Sequence, residues 1–361
     1  MNLSEEIELL ITGVSALIVG LILVPRLKRW AVKVKLVDKP NHRKLHTEPI
    51  PLVGGIAIAI ASFLTLLLSE AFIHTIDRHL IVLGASTLLL IVGVLDDKMD
   101  IKPLYRLLIQ MGCAYAVASS GIRISSFYGI FGMYELPLTI QYIFTILVIT
   151  GVINAFNLMD GIDGLAGGLS IMGFGTLVIL SYLLGRFDLG NLYIAFFGAT
   201  AAFLKHNLSK KKIFMGDGGS LFLGFTLVIA GIQMIELASQ SGSIRSTTVL
   251  LIIMGIFWIP VLDSIRVYRS RIKKGVSPFT ADKNHLHHLF LLTGLSHQKT
   301  SLLINLSALF FLLSIVVLAY YFPLTIVLFV VTLLFILLAS VLNINKSLNE
   351  WRNKIREMEE D

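Results

Sequence analysis

The chain has 361 residues, a formal net charge of +7, 55% hydrophobic and only 15% charged residues, and a mean hydropathy of +0.82. This composition excludes a soluble globular domain and is typical of a polytopic membrane protein. The sole cysteine, Cys113, lies inside an apolar segment, which excludes a disulfide framework and a cysteine metal site.

Apolar windows of the length that crosses a bilayer as a helix recur along the whole chain. They predict an all-α bundle of about eleven transmembrane helices, near 8–25, 51–69, 80–95, 104–120, 137–153, 165–184, 190–205, 218–238, 247–265, 301–321 and 324–343. We interpret residues 1–343 as one transmembrane catalytic domain and 344–361 as a polar cytoplasmic tail. The first span follows only acidic residues and precedes no small-residue cleavage site, so we expect it to be retained.

The basic residues are concentrated in alternate connections. All of the 30 Lys and Arg residues except Arg78, Arg123, Arg186 and Arg245 lie on one predicted side. The positive-inside rule makes that side cytoplasmic, with the N-terminus outside and the C-terminus inside. The positive charge is therefore explained by topology and anionic headgroups rather than by nucleic-acid binding.

Aspartates are concentrated on the same side. Nine of the twelve fall where apolar spans end there: Asp38, Asp96, Asp97, Asp100, Asp160, Asp163, Asp217, Asp263 and Asp282. A carboxylate near hydrocarbon is costly and is normally kept for function. The one-sided set predicts a divalent-metal site that handles phosphates.

The first basic-side connection reads VDKPNHRKLHTEPIPLVGG. Its closely spaced prolines, followed by Gly54 and Gly55, favour an extended segment that brings backbone close to another group. Arg43, Lys44 and His46 are candidates for holding a diphosphate or a lipid phosphate. A basic loop that only faces the headgroups is the alternative.

The second connection carries LDDKMD. Asp100 lies one helical turn from Asp96, so a helical end would let Asp96, Asp97 and Asp100 border one cavity. Adjacent carboxylates repel unless a cation lies between them, and Mg²⁺ prefers oxygen ligands. A solvated acidic turn remains the alternative.

The third connection, NAFNLMDGIDGLAGG, is the most distinctive string in the chain. Asn154, Asn157, Asp160 and Asp163 recur every three residues and so lie roughly along one side of a helical turn. Its amides and carboxylates favour recognition of a nucleobase or ribose, or a metal site. The spacing does not match an EF-hand.

The fourth connection ends in FMGDGGS, which places Asp217 at a helix N-terminus. Free N–H groups there favour anions, and the glycines that follow favour a phosphate or metal site over an ordinary N-cap.

The last connection contains His285, His287 and His288 after Arg266, Arg269 and Arg271. No further ligand type is at hand for zinc, so we expect the histidines to bind a diphosphate or sugar and to assist proton movement. The arginines are candidates for neutralising a nucleotide-sugar. Asp263 beside Arg266 is interpreted as a structural ion pair.

In this order, VDKPNHRK…IPLVGG, LDDKMD, NAFNLMDGIDGLAGG, FMGDGGS and SPFTADKNHLHH resemble the polyprenyl-phosphate N-acetylhexosamine-1-phosphate transferases over about residues 36–290. The resemblance implies transfer of N-acetylglucosamine 1-phosphate from UDP-N-acetylglucosamine to undecaprenyl phosphate. That reaction releases UMP and begins O-antigen and enterobacterial common antigen synthesis in lipopolysaccharide-producing bacteria. It also implies a bacterial inner-membrane location, a cytoplasm-facing site and Mg²⁺, or Mn²⁺ in its place. A homodimer is left open.

The resemblance assigns roles to positions of this chain. It implies that Asp96, Asp97 and Asp217 bind the metal or activate the lipid phosphate, with Asp100 in support. It implies that Asn157, Asp160 and Asp163 serve uridine recognition and catalysis, that Asn207 lines the nucleotide pocket, and that the three histidines contact the diphosphate and sugar. IPLVGG and His-Leu-His-His depart from the muramoyl-pentapeptide transferase pattern.

Three other functions remain open at this point. A transferase that feeds teichoic acid synthesis has the same chemistry. A cation-coupled transporter predicts carboxylates near the bilayer midplane rather than at span ends. A non-catalytic membrane receptor for nucleotide-sugars is the third.

Overall fold

Helices make up most of the chain in a computed structural model that describes residues 3–40, 48–130, 132–277 and 284–360. They are α1 (Leu3–Val34), α2 (Gly54–Leu66), α3 (Glu70–Ile73), α4 (Ile76–Met99), α5 (Pro103–Ser119), α6 (Leu138–Asn157), α7 (Leu165–Leu183), α8 (Phe187–Asn207), α9 (Gly216–Ser241), α10 (Ser246–Lys273), α11 (Leu286–Leu291), α12 (His297–Tyr321) and α13 (Leu324–Glu360). The predicted all-α membrane bundle is confirmed.

Each predicted span coincides with a helix, but the helices differ in length. Among the described residues, nine are long and apolar enough to cross a membrane: α1, α4, α6, α7, α8, α9, α10, α12 and α13. The other two, α2 with 13 residues and α5 with 17, are shorter. The number of eleven crossings stays a prediction.

Two short antiparallel hairpins lie between the helices. β1 (Val37–Asp38) pairs with β2 (Ile50–Pro51), and β3 (Ser126–Ile130) pairs with β4 (Met133–Glu135). Beyond β2, the Phe214 N–H donates to the Pro51 carbonyl at 2.9 Å, and the Gly54 N–H donates to the Phe214 carbonyl at 2.9 Å. The backbone before α2 is thereby joined to the backbone before α9.

Helix α9 forms the centre of the bundle. Its most apolar window is 83% buried, the highest value among the nine long helices of the described chain. A helix that is apolar all round is stable only when neighbours surround it. Aromatic packing supplies part of this environment, since the rings of Phe63 and Phe196 both lie edge-on or tilted against Phe222, with centroids 6.0 and 5.7 Å away.

Glycines allow two helices to approach α9 at backbone distance. A Cβ at Gly93 of α4 would overlap the backbone of Gly218, and a Cβ at Gly55 of α2 would overlap that of Gly219. The glycines after Asp217 therefore serve helix packing, and the phosphate or metal site that they favoured stays a prediction. Small residues are the usual means of close helix contact in membranes.

Candidate active site

The first part of the site is a carboxylate cluster with an arginine in it. Asp96, near the end of α4, and Asp217, at the start of α9, both accept hydrogen bonds from the Arg106 guanidinium. The Arg106–Asp217 distance is 3.1 Å, and Asp96 also accepts from the Ile101 N–H at 2.7 Å. A charged hydrogen bond of this kind fixes both partners in position. Arg106 thus neutralises two of the three predicted metal ligands.

The side chain of Asp97, a residue of α4, lies at the N-terminus of α9. Its two carboxylate oxygens accept from the backbone N–H groups of Asp217 and Gly218, at 2.9 and 3.3 Å. Gly216 has a φ of +76°, and a Cβ there would lie 2.5 Å from Asp97 Oδ2. The side chain of Asp97 thus lies at this helix N-terminus, and a bound phosphate there stays a prediction.

The α6–α7 connection meets the same cluster. The Asn157 amide donates to Asp217 Oδ1 at 2.9 Å and to the Ser220 hydroxyl at 2.8 Å. Asp160 follows in the turn, where burial raises its pKa well above the ordinary value and the charges of Asp217, Asp97 and Asp163 add to the effect. The structure thus brings Asp160 into the electrostatic field of the α4 and α9 carboxylates.

A lysine forms an ion pair with Asp163, the other aspartate of the α6–α7 connection. Lys212 Nζ donates to Asp163 Oδ2 at 2.6 Å. Lys212 also lies over the Phe214 ring, 5.0 Å from its centroid, so it bridges the α6–α7 and α8–α9 connections. Neither Lys212 nor Arg106 was singled out from the sequence, because both resemble the other basic residues on that side.

Two predicted substrate-binding asparagines are used within the protein. Asn207 accepts from the Gly164 N–H at 2.6 Å and donates to the Ile213 carbonyl at 2.8 Å, so it joins the two site connections. Asn154 donates to Gln110 and to the Thr150 carbonyl, at 2.8 and 2.7 Å. Both amides therefore have structural partners, and a role in substrate binding stays a prediction.

The histidine segment is positioned by Asp263. This aspartate is fully buried. Its carboxylate forms an ion pair with the Arg266 guanidinium at 2.7 Å and lies 2.9 Å from His285 Nδ1. It also accepts from the Leu286 N–H at 3.1 Å, which caps α11. The predicted Asp263–Arg266 ion pair is present, and the same carboxylate orients the His285 ring through its contact with Nδ1.

His287 joins the histidine segment to the α6–α7 connection. A Cβ at Gly161 would lie 2.9 Å from His287 Nε2, and the His287 ring lies 4.2 Å from that of His288. Burial lowers the pKa of His287 to about 3, and the neighbouring His288 and His285 lower it further. Within the described residues, His285 Nε2 and His287 Nδ1 are buried without a hydrogen-bond partner. These two ring nitrogens are available to a ligand.

Some of the remaining predicted residues are described in the structure, and the others fall outside the described chain. α4 ends at Met99, and Asp100 is exposed with a left-handed φ of 54°, so it does not continue the helical face of Asp96. Arg269 is exposed, and Arg271 is buried beside the Tyr268 ring. Arg43, Lys44, His46 and Asp282 fall in 41–47 and 278–283, outside the described residues.

No closed metal site is present in the part of the chain that the structure describes. There, no three His, Cys, Asp or Glu side chains are grouped closely enough to hold an ion by themselves. Arg106 instead lies between Asp96 and Asp217.

Comparison with known proteins identifies the family. The model described as Glycosyl transferase family 4 matches residues 79–235. The chain is 34% identical over 313 residues to the probable undecaprenyl-phosphate N-acetylglucosaminyl 1-phosphate transferase of Bacillus subtilis, covering 86% of this chain and 85% of that one.

Enterobacterial relatives show a similar match. Two proteins named undecaprenyl-phosphate alpha-N-acetylglucosaminyl 1-phosphate transferase, from Yersinia pestis and Escherichia coli K12, are 36% and 35% identical over 287 residues. Both alignments cover 78% of this chain and 76% of the relative. The family resemblance inferred from the five strings is thereby confirmed: this chain is a multi-pass membrane member of glycosyl transferase family 4, related to the undecaprenyl-phosphate N-acetylglucosaminyl 1-phosphate transferases.

Proposed function

We propose that this protein transfers N-acetylglucosamine 1-phosphate from UDP-N-acetylglucosamine to undecaprenyl phosphate, giving undecaprenyl-diphospho-N-acetylglucosamine and UMP. This is the first membrane step of O-antigen and enterobacterial common antigen synthesis. The observation that carries the proposal is the meeting of three connections at one end of the bundle. Asn157 hydrogen-bonds Asp217, Asp97 caps α9 beside it, and His287 packs on Gly161.

The position of the cluster suits this pair of substrates. The acceptor phosphate lies at the headgroup level and the donor is water-soluble, so the reaction needs a site at a membrane surface. Asp97 and Asp217 lie at the end of α4 and the start of α9. We place this end in the cytoplasm, because the basic residues on the same side predict that orientation. The protein would then lie in the bacterial inner membrane.

The proposed reaction is a direct displacement. Asp97 orients the acceptor, and an oxygen of undecaprenyl phosphate forms a bond to the β-phosphorus of the donor. The bond from that phosphorus to the oxygen shared with the α-phosphate breaks, and its electron pair leaves with UMP. Asp160 and Asn157 lie on the donor side, while His285 and His287 form hydrogen bonds to the sugar or the diphosphate.

Mg²⁺, or Mn²⁺ in its place, fits the oxygen donors of this cluster. Asp96, Asp97 and Asp217 would hold it. Mg²⁺ is commonly held by one or two carboxylates together with water and substrate phosphates, so a closed protein cage is not required. The guanidinium between Asp96 and Asp217 supports the fit, because these carboxylates already stabilise a positive charge. When bound, the ion supplies neutralisation of the diphosphate.

The direct test is an assay with purified protein, UDP-N-acetylglucosamine, undecaprenyl phosphate and Mg²⁺. Asp217→Asn should lower formation of the lipid-diphospho-sugar by at least about 100-fold. Asp77→Asn is the matched control, because Asp77 is exposed in the first turn of α4, far from the cluster. Undiminished product from the Asp217 variant would refute the assignment. Phosphorylated enzyme trapped without lipid acceptor would favour a covalent phospho-aspartate route instead.

The same assay separates the alternatives. The galactosamine epimer and the muramoyl pentapeptide donor test sugar choice, and a preference for either would change the substrate while keeping the reaction class. A transporter or receptor would yield no lipid-linked product at all. The carboxylates at helix ends in one cluster, rather than at mid-span, favour the transferase over the transporter. Teichoic acid initiation uses the same first product and is decided by the downstream enzymes.

A further inference from the structure

A pair of amide side chains joins α5 to α6 about one helical turn away from the carboxylate cluster. The Asn154 amide of α6 donates to Gln110 Oε1 of α5 at 2.8 Å. On α5, Arg106 lies one turn before Gln110, and on α6, Asn157 lies one turn after Asn154. Because Arg106 and Asn157 both donate to Asp217, the amide pair connects the same two helices that hold this carboxylate.

A backbone carbonyl determines the orientation of both amides. Asn154 Nδ2 also donates to the Thr150 carbonyl at 2.7 Å. A carbonyl can only accept, so the nitrogen end of Asn154 faces both partners and Gln110 must present its oxygen. The Nε2 group of Gln110 is therefore directed away from Asn154.

The stability of the bundle does not explain Gln110. The residue is fully buried, and its Nε2 has no hydrogen-bond partner among the residues that the structure describes. Unpaired N–H groups are costly to bury, whereas a methionine side chain has a similar length and adapts to irregular core gaps without any N–H group. What the glutamine provides in return is the hold of its oxygen on Asn154.

We propose that Gln110 is a positioning residue for the transferase reaction, which acts through Asn154 to fix α5 against α6. In this arrangement Arg106 and Asn157 reach Asp217 at the same time. The inference rests on the proposed function, since it concerns the geometry of the same site. A displacement of about 1 Å in an active site can lower turnover about 100-fold, so a small shift between these two helices matters.

Gln110→Met separates positioning from stability. It removes the hydrogen bond to Asn154 together with the unpaired N–H groups, so the thermal midpoint in detergent should stay within about 2 °C of wild type. Transferase kcat should fall about ten-fold while the KM of each substrate stays within about two-fold, because the groups that bind substrate are unchanged. An unchanged kcat would overturn the proposal. So would a midpoint that falls by about 5 °C or more together with kcat, since Gln110 would then be an ordinary packing contact.

Gln141→Met is the matched control, because it makes the same exchange at the opposite end of α6. Gln141 accepts from Arg123 Nε at 2.7 Å and donates to the Leu136 carbonyl at 2.8 Å. Its loss should lower the thermal midpoint and leave kcat unchanged. A loss of kcat equal to that of Gln110→Met would show that loosening α6 at any point impairs the reaction, and would overturn the assignment to Gln110.

Exchanging the two amides tests whether Gln110 acts through Asn154. Gln110→Asn shortens one amide by a methylene and should lower kcat about ten-fold. Adding Asn154→Gln restores the combined length and should bring kcat to within about three-fold of wild type. A double variant that recovers none of the lost kcat would overturn action through Asn154.

Two further outcomes are told apart by the same kinetics. A raised KM for undecaprenyl phosphate in Gln110→Met, with kcat unchanged, would mean that Nε2 contacts the acceptor and would overturn the positioning role. A wild type that forms no lipid-linked product would refute the proposed function itself, and this inference with it. An active wild type beside a fully active Gln110→Met would refute the inference alone.

Discussion

At the residue scale, the site depends on charges that neutralise one another. Arg106 contacts both Asp96 and Asp217, Lys212 contacts Asp163, and Arg266 contacts Asp263. Each basic residue supplies a counter-charge to a carboxylate close to the membrane, where an uncompensated charge is costly. The arginines and lysine therefore hold the geometry in which the aspartates act.

Replacing Arg106 should expose this dependence. Arg106→Gln leaves Asp96 and Asp217 without their shared counter-charge, and we expect transferase turnover to fall by about 100-fold. Arg106→Lys keeps the charge but loses the forked geometry, and a loss of about ten-fold is expected. Turnover is measured with radiolabelled donor on variants that elute as a single peak in size-exclusion chromatography. Wild-type turnover in the glutamine variant would exclude a role for the arginine.

The buried His287 should make stability depend on pH. Burial holds its folded pKa at about 3, against 6.5 for an ordinary histidine. Above pH 6.5 the His287 side chain is neutral in both the folded and the unfolded state. As pH falls from 6.5 towards 3, only the unfolded state takes up the proton, so stability is lost. At about pH 5 the loss from this residue should be about 2 kcal/mol.

The measurement compares thermal unfolding at about pH 8 and pH 5 in wild type and in His287→Asn. Between pH 8 and pH 5, the unfolding temperature of the wild type should fall further than that of the variant. Only the wild type has a buried histidine that takes up a proton on unfolding. An equal loss in both proteins would mean that other groups cause the pH dependence.

At the element scale, the helices were predictable and their contacts were not. Each apolar window became a helix because span length and hydropathy are local properties. The β1–β2 hairpin, the reach of Asn207 between two connections and the close approach of Gly93 to Gly218 depend on neighbours distant in sequence. Similarly, the five strings indicated the site, but no local pattern distinguished Arg106 from the other basic residues.

Packing of α4 on α9 should tolerate no side chain at Gly93. Gly93→Ala would force a Cβ into the backbone of Gly218, at a cost of at least about 1–3 kcal/mol. Gly84→Ala in the same helix is the control, since a Cβ there meets nothing within 4 Å. The thermal midpoint in detergent should fall by several degrees for the first variant and stay unchanged or rise for the second. Equal unfolding midpoints for the two variants would show that α4 and α9 can move apart at Gly93 without loss of stability.

At the scale of the whole molecule, helix direction and charge agree on one arrangement. α4, α6, α8 and α10 end, and α5, α7 and α9 begin, near the carboxylate cluster and the histidine segment. The end of α1 lies there too, since Lys28 donates to the Lys211 carbonyl at 2.6 Å. The nine long helices of the described residues and the eleven predicted spans are both odd numbers, so we predict that the two chain ends lie on opposite sides of the membrane.

The charge distribution then predicts which side is which. The predicted spans assign Arg78, Arg123, Arg186 and Arg245 to the far side and the other Lys and Arg residues of the sequence to the side of the cluster, which should be cytoplasmic. In a Cys113→Ser background, a membrane-impermeant maleimide should label Ser241→Cys in cells whose outer membrane is permeabilised. Ser209→Cys, equally exposed beside the cluster, should be labelled only after lysis. The reverse pattern would put the cluster outside, away from the cytoplasmic nucleotide-sugar pool, and the proposed transferase reaction would then lack its donor.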